Sequence, residues 1–141
     1  MTQTQLDKVQ YTAKLRSTGG RDGEAGRSSD GRLDVTFSLP GKPGTGTNPE
    51  QLLAAGWSAC FLSAMGIAAN KMKVALPKDT AIDAEVDLCR TGVDFFLQAR
   101  LNISLPGLPR EVAQALADAG HETCPYSKAT RGNIDVVVNV L

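Results

Sequence analysis

The chain has 141 residues; its 15 basic and 15 acidic side chains cancel, and aromatic residues make up only 5%. A balanced charge without a basic run excludes a nucleic-acid binder or a polybasic membrane module. A chain of this length can bury a real hydrophobic core, and it reads as a single domain over residues 1–141. Three cysteines without a Cys-x-x-Cys spacing, beside the lone His121, make neither a disulfide scaffold nor a zinc site.

The polar start, residues 1–8, has no signal-peptide core. Val9, Tyr11, Ala13 and Leu15 alternate with polar residues and predict a half-buried strand. Gly19-Gly20-Arg21-Asp22-Gly23 follows as a tight, glycine-rich turn. It reads either as a backbone bent to aim a charged side chain or as a plain hairpin connection. After a second turn at Ser29-Asp30-Gly31, Leu33, Val35, Phe37 and Leu39 predict another strand.

Pro40 to Thr47 is a Gly/Pro-rich loop. Asn48 can then cap a helix, with Pro49 at its first position and Glu50 in its first turn, where a carboxylate suits the helix dipole. The run from Leu52 to Ala69 is apolar on nearly every face, so this helix is expected to be buried all round. Ser58 and Ser63 interrupt the run, it is rich in Ala, and it lacks flanking anchors. These features argue against a membrane span and for a cytoplasmic protein. In a chain this small, such burial calls for a sheet wrapped around the helix and a second subunit packed on it.

Ile82, Ala84, Val86 and Leu88 alternate, Thr91 to Asp94 turns the chain, and Phe95 to Leu105 alternates back, which predicts an antiparallel hairpin. A helix is expected from about Pro109 to Ala119, stopped by Gly120, with His121 read as a partner of its C-terminal dipole rather than as a base. Cys124-Pro125-Tyr126-Ser127 fits a single helical turn, and Ile134 to Val140 is a last strand. The order β-β-β, long helix, β-β, helix, β is α+β.

A thiol reacts as thiolate, and apolar surroundings raise its pKa. Cys60, midway along the long helix, is therefore either an inert core residue or a nucleophile served by a nearby cation. Arg21 is the candidate cation, with Arg16 and Arg131 as competitors. Glu50 and Cys60 are ten residues apart, about 15 Å along one helix, so they cannot share a site within one straight helix. Two such helices crossing antiparallel near Ala55, where Ala54, Ala55 and Gly56 are small, would bring Glu50 of one close to Cys60 of the other. The expectation is an isologous homodimer with shared sites.

Asn48-Pro49-Glu50-Gln51-Leu52 with Ser58-Ala59-Cys60-Phe61, and Cys124-Pro125-Tyr126-Ser127 with Ala129-Thr130-Arg131-Gly132-Asn133, resemble the two signatures of the organic hydroperoxide resistance (Ohr) proteins of the Ohr/OsmC family. The Gly19–Gly23 loop also resembles the Ohr loop that carries a catalytic arginine. The resemblance implies an OsmC-like fold: antiparallel sheets around a long central helix, in an intertwined homodimer. It implies a thiol peroxidase for organic hydroperoxides, including those of fatty acids, reset by an external dithiol such as a lipoylated protein and needing no metal or other cofactor. Cys60 would match the peroxidatic cysteine, Cys124 the resolving cysteine, Arg21 the thiolate-stabilising arginine and Glu50 the carboxylate that holds it. Leu52, Phe61, Met65 and Phe96 are candidate substrate lining, or core.

Two residues depart from the family pattern. Cys89 is an extra cysteine without a matching role, and Arg16 places a second cation near the Arg21 loop. The competing readings are an OsmC-type peroxidase of broader selectivity, a dimeric redox sensor or binder that is oxidised once and stops, and a structural protein with three inert thiols.

Overall fold

The computed structural model describes residues 4–141. The chain divides into two compact units, Met1–Pro49 and Glu50–Leu141.

In the first unit, β1 (Leu15–Thr18), β2 (Ala25–Ser28) and β3 (Asp34–Val35) form a three-stranded antiparallel sheet in that order. The expected strand over residues 9–15 lies further on: the ladder begins only at Leu15, and Val9 and Tyr11 are exposed without strand pairing. Apolar alternation marks extended chain, whereas backbone partners decide which part of it becomes a ladder. β2, with the sequence Ala25-Gly26-Arg27-Ser28, carries no alternation and is held by its pairing with β1. The second expected strand is cut to Asp34–Val35, followed by an isolated bridge between Phe37 and Thr47. The glycine-rich segment bends as its composition requires. Gly19 and Gly20 take the left-handed conformation, and a 3-10 turn spans Gly20–Asp22 with Arg21 at its centre.

The second unit is built on α1 (Pro49–Met72), which opens on the expected proline with Glu50 in its first turn. It ends in a Schellman arrangement: Lys73 N–H donates to Asn70 O, Val74 N–H donates to Ala69 O, and Lys73 takes a φ of 56° where glycine is usual. By length and composition α1 could cross a membrane. Here Trp57, Phe61, Ala64, Met65, Ala68 and Ala69 are buried in one cluster with Leu101, Ile103 and Leu116. The expectation of burial all round is corrected within the single chain. Gln51, Ala55, Ala59, Ser63 and Ile67, at a spacing of four, form an exposed stripe.

β4 (Ala81–Thr91) and β5 (Asp94–Ser104) make the predicted hairpin, with Thr91 opposite Asp94. Gly92 has a φ of +60° and Val93 does not share the positive region, so the two-residue turn is of type II′, which matches strand twist. Ala99, Leu101, Ile103 and Leu105 point inward as their alternation predicts. On the outer face Arg100 donates to both oxygens of Asp87, at 2.8 and 2.9 Å. At the hairpin tip, Leu88, Val93, Phe95 and Phe96 are exposed.

α2 (Arg110–Thr123) runs four residues past the predicted end. Gly120 does not stop it. It is a buried position inside the last turn, where a Cβ would meet Met65 and Phe61 below 3 Å. α3 (Pro125–Thr130) is the expected short helix. β6 (Asp135–Val140) then joins β5 in parallel, so the second sheet combines an antiparallel hairpin with one parallel edge. The two sheets and the intervening long helix are an α+β architecture.

Candidate active site

Cys60 lies on the third turn of α1 and is half-buried; Cys124 caps the start of α3 and is fully buried. Sixty-four positions separate them in sequence, yet their side chains meet. Burial raises the Cys60 pKa most, followed by its hydrogen bond and Coulombic interaction with the Cys124 thiol, while the Tyr126 backbone N–H lowers it. Both cysteines, like Cys89, are reduced thiols.

The local sequence explains the meeting. Pro125 has no N–H, so the first donor that α3 offers at its open end is the Tyr126 N–H, and it serves the Cys60 sulfur. The Tyr126 phenol lies over Gly56, one turn before Cys60, where a Cβ would come within 3.1 Å of its oxygen. The Trp57 indole N–H donates to Ser127 Oγ at 3.0 Å, and both side chains are fully buried. Trp57 and Ser127 had no place among the site residues read from the sequence. Their signal was there in the spacing: each stands three residues from one thiol, one helical turn away.

Glu50 is half-buried in the first turn of α1, and its ten-residue separation from Cys60 places it about 15 Å away along the straight helix. Arg21 is exposed at the centre of its 3-10 turn in the N-terminal unit. The chain therefore brings together the two cysteines, and by itself keeps Glu50 apart from them.

The competitor cation Arg131 has another occupation. Its guanidinium donates to the His121 and Glu122 carbonyls at 3.4 and 3.3 Å, capping the C-terminus of α2. His121 was expected to be the dipole partner there. Burial first, and Arg131 second, hold its pKa below the ordinary value, which disfavours the cation, and the imidazole stacks on Phe61 with ring centroids 6.2 Å apart. Arg16 is exposed in β1, opposite Arg27. Of the candidate lining residues, Phe61 and Met65 are fully buried core, Phe96 is exposed and Leu52 is half-buried. Cys89 is half-buried, opposite Phe96 on the hairpin. A cavity of about 670 Å³ in the N-terminal unit, lined by Tyr11, Lys14, Ser28, Asp30 and Arg32 among others, contains none of the four expected site residues. Among the described residues, no three His, Cys, Asp or Glu side chains gather as a metal site.

A long helix carrying one thiol against a second thiol at the head of a short helix, in one unit with the β4-β5-β6 sheet, defines a protein of the OsmC-like class. The family model for OsmC-like proteins matches residues 41–139. The organic hydroperoxide resistance protein of Xanthomonas axonopodis pv. citri is 46% identical over 138 residues, covering 95% of this chain and 96% of the relative. Among solved structures, the organic hydroperoxide resistance protein OhrB of Bacillus subtilis superposes with a TM-score of 0.87 at 41% identity, covering 94% of this chain and all of that one. A Legionella pneumophila organic hydroperoxide resistance protein does so with a TM-score of 0.87 at 42% identity, covering 94% and 98%. The chain belongs to the OsmC/Ohr family, among its organic hydroperoxide resistance proteins.

Proposed function

We infer that the protein is a thiol peroxidase that reduces organic hydroperoxides to alcohols. The observation that carries this reading is the meeting of Cys60 and Cys124: a partly exposed thiol beside a fully buried one, both reduced. The Cys60 thiolate attacks the distal peroxide oxygen, the O–O bond breaks, and the alkoxide takes a proton to leave as alcohol. Cys60 is then a sulfenic acid. The Cys124 thiol displaces its hydroxyl as water and forms the Cys60–Cys124 disulfide, which forestalls further oxidation. An external dithiol, by our reading a dihydrolipoyl group on a lipoylated protein, takes the oxidising equivalents as its own disulfide and restores both thiols. A reducing cytoplasm suits the resting state.

Burial raises the Cys60 pKa, so reactivity near neutrality requires a cation. We assign that role to Arg21 and the task of holding its guanidinium to Glu50. The ten-residue offset along α1 is met by a homodimer in which two α1 helices cross and each Glu50 serves the partner's thiol. Ala55, Ala59 and Ser63 in the exposed stripe support such packing, since small residues at a spacing of four let helices approach closely. Preference for alkyl peroxides follows from apolar surroundings: each CH₂ of substrate removed from water contributes about 0.8 kcal/mol, which hydrogen peroxide lacks.

The test is stoichiometric. Reduced protein receives one equivalent of an alkyl hydroperoxide, and disulfides are mapped by mass spectrometry in wild type and Cys124→Ser. A Cys60–Cys124 bond in wild type and a trappable Cys60 sulfenic acid in the variant support the two-cysteine mechanism. No reaction, or oxidation confined to Cys89, would remove it.

A further inference from the structure

Resting on that reading, the geometry points to the Trp57–Ser127 hydrogen bond as the positioning device for disulfide closure. Trp57 precedes Cys60 by three residues on α1, and Ser127 follows Cys124 by three on α3. Residues three apart on a helix share a face. The two helices are therefore pinned at adjacent points on their facing sides, with the polar bond at one point and the thiol pair at the other.

The pin is built to hold. Both side chains are fully buried, and the bond is 3.0 Å long. The indole has one donor and no acceptor, and the hydroxyl rotates to accept it. Breaking the bond strands a buried N–H, so the bonded arrangement is the one the interior favours. The other ties on α3 are at its ends, where Cys124 N–H donates to Gly120 O at 2.9 Å and Arg131 donates to the His121 and Glu122 carbonyls, and at Tyr126, whose phenol lies over Gly56. The helix α3 has six residues, too few for a stable helix alone, and most of them are exposed. Ser127 is its one buried residue.

The chemistry asks for such a pin at one step in particular. Peroxide attack is carried by Cys60 on the long, well-packed α1, and from α3 it takes only the Tyr126 N–H that serves the sulfur. Closure needs Cys124 to reach a sulfur that has just gained an oxygen, at the narrow Cβ separation and dihedral angle a disulfide tolerates. A loosened α3 would change the first step little, since the Tyr126 N–H is the smallest of the influences on Cys60, and would slow the second far more. Trp57 and Ser127 are positioning residues in this account, and neither touches the peroxide.

The experiment separates the two steps. Reduced wild type, Trp57→Phe, Ser127→Ala and Ser127→Thr are mixed with one equivalent of cumene hydroperoxide. Peroxide consumption is followed against time, and disulfide closure is read by competition with a sulfenic-acid trap. Circular dichroism and thermal melts establish that each variant is folded. Trp57→Phe fills most of the indole space and stands in if Ser127→Ala fails to fold. The expected result is peroxide consumption within about twofold of wild type and closure slowed about tenfold to a hundredfold in Trp57→Phe and Ser127→Ala, the scale of a misplaced reacting group. Sulfinic acid at Cys60 should accumulate under excess peroxide, and Ser127→Thr, which keeps the hydroxyl, should close faster than Ser127→Ala. Closure at the wild-type rate in a folded variant overturns the positioning role, as does equal slowing of both steps. A wild type that consumes no peroxide overturns the underlying reading instead.

Discussion

Gly120 of α2 faces Phe61 of α1 so closely that a Cβ on the glycine would lie 2.8 Å from the ring, and 2.7 Å from Met65 Cγ beside it. Glycine in a helix interior gives up about 1 kcal/mol against alanine, so its presence here marks close approach of two helices. Gly120→Ala should destabilise the protein by about 1–3 kcal/mol, because Phe61 and Met65 are fully buried and have no room to yield. Urea unfolding of the pair measures it; a stabilised variant would show that the two helices can slide apart without loss.

The protonation of Cys60 is tied to Cys124. Burial raises its pKa most, and the Cys124 hydrogen bond and Coulombic interaction add to that. Cys124→Ala removes the second and third causes and leaves the first. The pH midpoint of Cys60 alkylation should move down, and alkylation at a fixed pH below the midpoint should quicken. The sign also fixes a stability trend. The folded chain binds this proton more tightly than the unfolded chain, so the associated stability is complete below the ordinary value of 9.0 and is lost as pH rises through the folded value. Cys124→Ala should lose less stability over that alkaline range, as denaturant midpoints at graded pH will register.

Cys124 is fully buried, whereas Cys60 is partly exposed. An incoming thiolate must reach the sulfur it attacks. Oxidised protein treated briefly with a small monothiol should carry the mixed disulfide on Cys60, with Cys124 released as thiol. Peptide mapping after acid quench reads the position, and adducts mainly on Cys124 would mean that α3 opens before reduction.

The exposed α1 stripe is where the proposed dimer is most open to challenge. Ala59 stands next to Cys60 in the chain but on this outer face. Ala59→Glu places like charges where two helices would cross and should shift sedimentation from dimer to monomer, with activity falling by more than tenfold. Arg21→Ala, by contrast, should leave the dimer intact and slow the peroxide step at neutral pH, because a thiolate without its cation is less populated. A folded Ala59→Glu monomer with full activity would remove the shared-site arrangement.

What the sequence by itself determined is what short-range physics can write. Pro49 and Glu50 marked where α1 begins, alternation and Gly92 marked the β4–β5 hairpin, and Gly19, Gly20 and Gly23 marked the bend around Arg21. Each depends on dihedral preference or on the period of side chains along one element. The motifs around Cys60 and Cys124 pointed to their pairing by family resemblance, not by any local rule. The tertiary structure alone decided which side of α1 is covered, because a helix apolar on every face has no amphipathic direction to read. It decided that Gly120 packs rather than terminates, since a glycine's role depends on what faces it from another element. It decided that β2 exists despite its polar sequence and that β6 runs parallel to β5, since backbone ladders are chosen by partners far along the chain. The Trp57–Ser127 bond belongs to the same class: a donor and an acceptor seventy positions apart, which only folding places 3.0 Å from each other.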